Sequence, residues 1–147
     1  MSKHRIYIDT NVLTNYFTKQ KADVQCLDYL FSKVRKEILF TSSLAIVQTV
    51  SVLQTKKKGR KAFTRTQAVG SGEKIYAKFS VIDLSAIDVK KSFQYFNEDV
   101  EDNVHYVLSK KLKCGIIITN NTSDFADFGN MIALSPQNIA NIRKIIK

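Results

Sequence analysis

The sequence predicts an α/β fold with a mostly parallel central sheet. Short apolar runs such as residues 6–8 and 115–119 alternate with longer segments of helical periodicity. This alternation is typical of buried parallel strands joined by crossover helices. The chain has 147 residues, enough for one hydrophobic core, and it contains no internal repeat or Pro-rich linker. We therefore expect a single domain over residues 1–147.

The elements of the first half are predicted from apolar spacing and helix caps. Leu27, Phe31 and Val34 recur at helical spacing and define one face of a helix. The segment 41–43 supplies hydroxyl groups that can cap the helix after it. The expected elements are a strand over 5–8, a helix from Asp9 or Thr10 to about Phe17, a helix over 21–35, a strand over 38–40 and a helix to about Leu53.

The second half adds glycine and proline as signals. Gly70 and Gly72 fall inside a helical pattern and predict a break there. Pro136 follows Ser135 and predicts the first position of a last helix. The expected elements are an interrupted helix over 62–79, strand 81–82, helix 85–96, helix 99–113, strand 115–119, a further strand over 131–134 and the helix from Pro136.

The charge balance favours a polyanionic partner. Lys and Arg number 23 against 13 Asp and Glu, a formal net charge of +10. Nucleic acid is the first candidate, an acidic protein the second and an anionic membrane surface the third, while solubility alone is the remaining interpretation. The densest basic run is predicted either to bind RNA phosphates or to lie in solvent at a helix end. It comprises Lys56, Lys57, Lys58, Arg60, Lys61 and Arg65.

Other sequence features narrow the class of protein. No apolar run is long enough to predict a membrane span, and the first residues lack a signal-peptide pattern. Cys26 and Cys114 have neither zinc-site nor disulfide spacing, so we expect buried thiols and a cytoplasmic protein. The absence of G-x-G-x-x-G, Walker A and G-x-S-x-G patterns argues against common nucleotide-binding and hydrolase sites.

Acidic residues gather where a parallel sheet builds its sites. Asp9 ends the first predicted strand, and Asp124 lies in the loop after the strand at 115–119. Four further acids fall within residues 98–102 of this basic chain. In open α/β sheets, sites form beyond the carboxyl ends of the strands. The three groups of acids are therefore expected to converge.

Helical spacing divides the cluster at 98–102. Asp99 and Asp102 lie three residues apart on one stripe, whereas Glu98 and Glu101 are expected to point to solvent. The buried stripe of this helix is predicted to comprise Val100, Val104, Val107, Leu108 and Leu112.

Clustered carboxylates without Cys or paired His suit a hard divalent cation, Mg²⁺ or Mn²⁺. Such an ion binds phosphate oxygens and activates water. The alternative is that the acids only stabilise the first turn of a helix through its macrodipole.

Several polar residues carry weaker signals. His105 lies off the stripe of Asp99 and Asp102 and is expected to be structural or exposed. His4 and Tyr7 carry no functional pattern. Hydroxyl groups at 42–43 are interpreted as helix caps.

Three segments together resemble the PIN domain family, the fold of VapC-type toxin ribonucleases. They are "YIDTNVL" at residues 7–13, "DVEDNVHY" at 99–106 and "IIITNNTSDF" at 116–125, in the order and spacing of the family. The resemblance implies metal ligands at Asp9, Asp99, Asp102 and Asp124, catalytic roles for Asp9, Asp102 and Asp124, and supporting roles for Asn11, Gln48, Thr119 and Asn121.

The resemblance also implies a three-layer α/β/α sandwich and a Mg²⁺- or Mn²⁺-dependent endoribonuclease. Its members cleave single-stranded RNA with a metal-bound water. Its toxins are usually homodimers neutralised by a small antitoxin protein. These properties are expectations for this chain.

One position departs from the family pattern. The helix after the second strand usually carries a Glu, and the matching residue here is Gln48. Loss of one negative charge is expected to weaken metal binding, because ligand charge helps to set cation affinity. We expect retained but reduced activity. Completion of the site by substrate, or an inactive module that only binds RNA or an antitoxin, are the alternatives.

Overall fold

The centre of the computed structural model, which describes residues 4–126, 128–129 and 131–146, is a parallel sheet. Within these residues its strands are β1 (Ile6–Ile8), β2 (Leu39–Ser42), β3 (Ser80–Ile82), β4 (Ile116–Ile118) and β5 (Ile132–Leu134). The order across the sheet is β3-β2-β1-β4-β5. The central strand β1 pairs through Ile6 with both Leu39 and Ile116.

Helices cover both faces of the sheet. They are α1 (Thr10–Phe17), α2 (Lys21–Lys33), α3 (Ser43–Gln54), α4 (Arg65–Lys78), α5 (Ala86–Ser92), α6 (Val100–Lys111) and α7 (Ile139–Ile145). Short 3₁₀ turns occur at Lys36–Ile38 and Thr122–Phe125.

Alternation along β1 assigns the two cores. Ile6 and Ile8 enter one core with side chains of α1, α2, α3, α4 and α7, whereas Tyr7 enters the other with α6. All three side chains are fully buried. The predicted α/β/α sandwich with a parallel sheet is therefore confirmed.

The predicted break at the glycines is wrong. Helix α4 runs without interruption from Arg65 to Lys78. A Cβ placed on Gly72 would lie 3.1 Å from Cγ2 of Val50 in α3, whereas one on Gly70 would meet nothing within 4 Å. Gly72 therefore permits the close approach of α3 and α4, and this packing outweighs the weak helix propensity of glycine.

Helix ends and one face also differ from expectation. Helix α5 ends at Ser92 rather than near Phe96, and α7 begins after the cap Asn138 rather than at Pro136. The Asn138 side chain accepts a hydrogen bond from the Asn141 amide, which fixes the later start. Val100 is 49% exposed because it stands at the first position of α6, so its assignment to the buried stripe is wrong.

The two cysteines agree with expectation. Cys26 and Cys114 are buried free thiols, and burial raises the pKa of each to about 12. Among the described residues, no helix is both long and apolar enough to cross a membrane.

Candidate active site

A cavity of about 570 Å³ opens at the carboxyl end of β1. We call it the main cavity. It brings together seven of the residues that the sequence proposed for the site or for RNA binding: Asp9, Asn11, Gln48, Lys57, Asp99, Asp102 and Asn121. The position agrees with the rule that parallel sheets build their sites beyond the strand ends.

Asp9 is held in place by four hydrogen bonds. Its backbone N–H donates to the Ile118 carbonyl at 3.0 Å, and its Oδ1 accepts from the Thr10 N–H at 2.7 Å. Its Oδ2 accepts from the Thr119 hydroxyl at 2.8 Å and from the Asn11 amide at 3.1 Å. Asp9 is only 3% exposed. The carboxylate therefore caps α1 and also lines the main cavity in one fixed orientation.

A network of amides fixes the loop after β4 against α1. Asn11 Oδ1 accepts hydrogen bonds from the backbone N–H and the side-chain amide of Asn120, at 3.0 and 3.2 Å. Asn120 Nδ2 also donates to buried Asp23 at 2.8 Å. The Asn121 N–H donates to the Thr119 hydroxyl at 3.0 Å. Asn11, Thr119 and Asn121 thus belong to one hydrogen-bond network. Asn120 and Asp23 also belong to it, although no sequence pattern pointed to them.

The start of α6 brings the second carboxylate group to the cavity. Asp99 caps the helix by accepting the Glu101 N–H at 2.9 Å, and Asp102 is 8% exposed. Burial, followed by the charges of Asp99, Asp9 and Asp124, raises the pKa of Asp102 to about 7. The site therefore carries more negative charge than its surroundings balance. Glu101 is exposed as expected, yet it also lines the cavity.

Asp124 lies beside Asp102 but in the wall of a neighbouring cavity of about 320 Å³. The side chain of Asn97 holds its loop by donating to the Asp124 carbonyl at 2.8 Å. Asn97 Oδ1 also accepts the Asp99 N–H at 3.1 Å, so one side chain joins the two acidic loops. Asp124 acts on the main cavity through its contact with Asp102 rather than as a lining residue.

His105 lies at the base of the main cavity, where the sequence offered no sign of a role. It is 2% exposed, and its Nε2 lies 3.1 Å from Gln48 Oε1, 3.2 Å from the Thr10 hydroxyl and 3.5 Å from Asp9 Oδ1. Its Nδ1 lies 2.7 Å from the Tyr7 hydroxyl. Burial is the main reason that the pKa of His105 lies below its usual value, so the ring is neutral at pH 7. The expectation of an exposed ring is wrong, and that of a structural role stays a prediction.

Gln48 is fixed by the same contacts. Its Oε1 accepts a hydrogen bond from the Thr10 hydroxyl at 2.6 Å and faces His105. The amide oxygen therefore lies beside Thr10 and His105 in the main cavity and brings no negative charge to it.

The basic run divides into residues with different tasks. A tight hairpin joins Lys57 to Arg60, and Gly59 supplies its positive φ of 79°. The Arg60 guanidinium donates to the carbonyls of Val52, Leu53 and Thr55 and so caps the end of α3. Lys57 lines the main cavity. Lys56, Lys58, Lys61 and Arg65 are exposed outside it, and their contact with RNA stays a prediction.

The donor chemistry fits a divalent cation. Among the described residues, no group of three or more His, Cys, Asp and Glu side chains stands in an arrangement that could hold a metal ion. However, burial and then repulsion from neighbouring acids raise the pKa of Asp102, and a bound cation would offset both effects. Asp9 and Asp102 would hold the ion, and Gln48 would add a neutral oxygen.

Comparison with known proteins assigns the class. The pattern of the PIN domain matches residues 6–130, so the chain belongs to the PIN domain family. The chain is similar to Ribonuclease VapC1 of Aquifex aeolicus (strain VF5), with 25% identity over 135 residues that cover 86% of this chain and 88% of the relative.

Solved structures share the fold. A toxin–antitoxin complex from Klebsiella pneumoniae contains a chain with a TM-score of 0.65 and 16% identity, covering 89% of this chain and 97% of that one. The DNA-bound VapBC of Salmonella typhimurium gives a TM-score of 0.65 and 10% identity, covering 90% and 98%.

Proposed function

We propose that this protein is a metal-dependent endoribonuclease that cleaves single-stranded RNA and serves as the toxin of a toxin–antitoxin pair. The observation that carries the proposal is the convergence of Asp9, Asp99 and Asp102 on one cavity at the end of β1 in a PIN fold. The similarity to Ribonuclease VapC1 supports a ribonuclease. The net charge of +10 supports a polyanionic substrate.

The side chains of the site have separate tasks in this reaction. A bound Mg²⁺ or Mn²⁺ would neutralise charge on the phosphodiester and activate a water. Asp9 is locked by Thr119 and Asn11, so it presents its oxygens without reorganising. Without an ion, burial and the neighbouring acids raise the pKa of Asp102 to about 7, and a bound cation would keep this carboxyl group ionised as a ligand. Lys57 stands at the rim where it can attract an RNA phosphate.

The similarity to these solved structures also supports the proposed protein partners. Chains of similar fold occur in a toxin–antitoxin complex from Klebsiella pneumoniae and in DNA-bound VapBC from Salmonella typhimurium. We infer an antitoxin protein that blocks the site, a homodimer and action in the cytoplasm.

A second candidate function rests on Gln48. Because the site lacks one expected negative charge, the chain could bind RNA or an antitoxin without cleaving RNA. This candidate predicts salt-sensitive RNA binding that survives the substitution Asp102→Asn.

The test is a cleavage assay with purified protein, end-labelled single-stranded RNA and a hairpin RNA of equal length. We expect cleavage of the single strand with Mn²⁺, none with EDTA, and none from Asp102→Asn. If the protein leaves every RNA intact in excess Mn²⁺ while Gln48→Glu cleaves, the inactive module is the correct assignment. Within the basic run, Lys57→Ala should weaken RNA binding more than the control Lys58→Ala.

A further inference from the structure

We propose that the site binds its divalent cation through a nitrogen ligand, His105 Nε2, together with Asp9 Oδ1 and Gln48 Oε1. This ligand set favours Mn²⁺ over Mg²⁺. The inference rests on the proposed function only in that it assumes an ion at this site.

The first argument is the spacing of the three atoms. Nε2 of His105 lies 3.1 Å from Gln48 Oε1 and 3.5 Å from Asp9 Oδ1. Adjacent ligands of an octahedral ion stand about 3.1 Å apart when each bond is about 2.2 Å long. Small movements of the side chains thus suffice to place an ion against all three.

The hydrogen bonds of Tyr7 indicate which ring nitrogen of His105 carries the proton. The Tyr7 hydroxyl can donate only one hydrogen bond, and Ser42 Oγ lies at 2.8 Å in position to accept it. The same hydroxyl then accepts the proton of His105 Nδ1 at 2.7 Å. A neutral imidazole that carries its proton on Nδ1 turns the lone pair of Nε2 toward Gln48 Oε1 and Asp9 Oδ1. Three acceptor atoms then face one another, although Thr10 already donates its hydroxyl to Gln48 Oε1 and its N–H to Asp9 Oδ1. A cation bound beside Thr10 would stabilise all three atoms.

The competing arrangement places the proton on Nε2. In that case Tyr7 donates to Nδ1, and Nε2–H donates to Gln48 Oε1 and Asp9 Oδ1 without any ion. His105 would then act only as a structural donor. The two arrangements differ in whether a nitrogen touches the metal, which can be measured directly.

The chemistry of the ligands explains the metal preference. Imidazole suits transition-metal ions better than Mg²⁺, which prefers oxygen ligands and retains its waters. A histidine ligand usually donates its second N–H to an oxygen that fixes the ring, and Tyr7 supplies that oxygen here. His105 would thus compensate for the carboxylate that Gln48 lacks.

The decisive experiment is pulsed electron paramagnetic resonance on Mn²⁺-loaded protein without RNA. We expect the electron-spin echo of wild-type protein to show coupling to ¹⁴N, and to change when the histidines are labelled with ¹⁵N. The coupling should persist in His4→Gln, the matched control outside the main cavity, and disappear in His105→Gln. The inference is wrong if wild-type protein binds Mn²⁺ but shows no coupling to a histidine nitrogen. It is also wrong if wild-type protein binds no Mn²⁺, so neither outcome depends on a variant.

A second variant separates ligation from packing. Tyr7→Phe keeps the imidazole and removes only the hydroxyl that orients it. We expect Mn²⁺ affinity by calorimetry to fall about tenfold while the ¹⁴N coupling remains. Affinity unchanged in Tyr7→Phe would contradict the orienting role of Tyr7 and the Nδ1 proton assignment on which the inference depends.

The outcome is distinct from that of the cleavage assay. Nitrogen coupling in a protein that cleaves no RNA would overturn the proposed function and leave the metal site in place. Cleavage of RNA by a protein without nitrogen coupling would support the proposed function and overturn the role of His105 as a metal ligand.

Discussion

The two sides of the main cavity differ in charge. The side built by α6 carries Asp99, Glu101 and Asp102, whereas the side built by α3 offers Gln48 and no charged group to the cavity. Negative charge therefore comes from α6 and from Asp9 at the end of β1. We therefore expect cation affinity to depend mainly on the α6 side, to which α3 adds only the neutral oxygen of Gln48.

Removal of charge from the α6 side should have the largest effect. Asp102→Asn is expected to lower RNA cleavage by at least roughly 10²-fold, since the loss of groups one step further from a metal already costs 10- to 100-fold. Cleavage rates at saturating Mn²⁺ provide the measurement. Glu98→Gln, an exposed acid outside the cavity, is the matched control and should cleave normally. Equal loss in both variants would contradict a special role for Asp102.

Substitutions in α4 can disturb the packing of α3, which forms the second side of the main cavity. Gly72→Ala places a methyl group 3.1 Å from Val50 of α3 and should lower the free energy of unfolding by about 1–3 kcal/mol. Gly70→Ala meets nothing within 4 Å and should raise it by about 0.4–1 kcal/mol. Urea unfolding of the pair measures both. A similar change in the two variants would show that helix propensity, rather than the contact of α3 with α4, decides the effect.

The charge difference between the two sides can also be reduced. Gln48→Glu places a carboxylate on α3 and should strengthen Mn²⁺ binding about tenfold, because one more ligand charge attracts the ion. Calorimetry without RNA gives the affinity. Gln54→Glu adds the same charge at the exposed end of the same helix and should change it little. No gain from Gln48→Glu would mean that α3 does not contact the ion.

The excess charge should appear as a pH dependence of the metal-free protein. The pKa of Asp102 is about 7 in the folded state against 3.8 for an ordinary Asp, so the folded state binds more protons between these values. Stability is then full below pH 4 for this group and falls as the pH rises to about 7 and above. We expect a loss of about 1 kcal/mol after solvent screening, measured by urea unfolding with EDTA. Asp102→Asn should abolish this component, and added Mn²⁺ should offset it.

Local patterns in the sequence predicted that the acids converge, because strand ends in a parallel sheet meet at one edge. They predicted Asp9 and the α6 acids correctly as neighbours of one cavity. They failed for His105, whose role depends on Tyr7 and Gln48, 98 and 57 residues away in the chain. A lone His on a helix carries no spacing signal that could reveal such contacts.

The predictions for the glycines and for the basic run were incomplete for a related reason. Gly70 and Gly72 have equal propensity to break a helix, and only the packing of α4 on α3 shows that one of them is required. The basic run looked uniform, yet Arg60 caps α3 while Lys57 faces the cavity. In each case, contacts between distant segments decide between residues of the same type.

The central place of β1 in the sheet has a consequence for biosynthesis. A ribosome makes β1 first, yet β1 is flanked by β2 and by β4, which follows more than a hundred residues later. The segment through α3 supplies Asp9 and Gln48, and the carboxylates at the start of α6 are made only after β3 and α5. A nascent chain therefore has no assembled cavity. We therefore expect the chain to lack its site, and any activity of that site, until both α6 and β4 have been made.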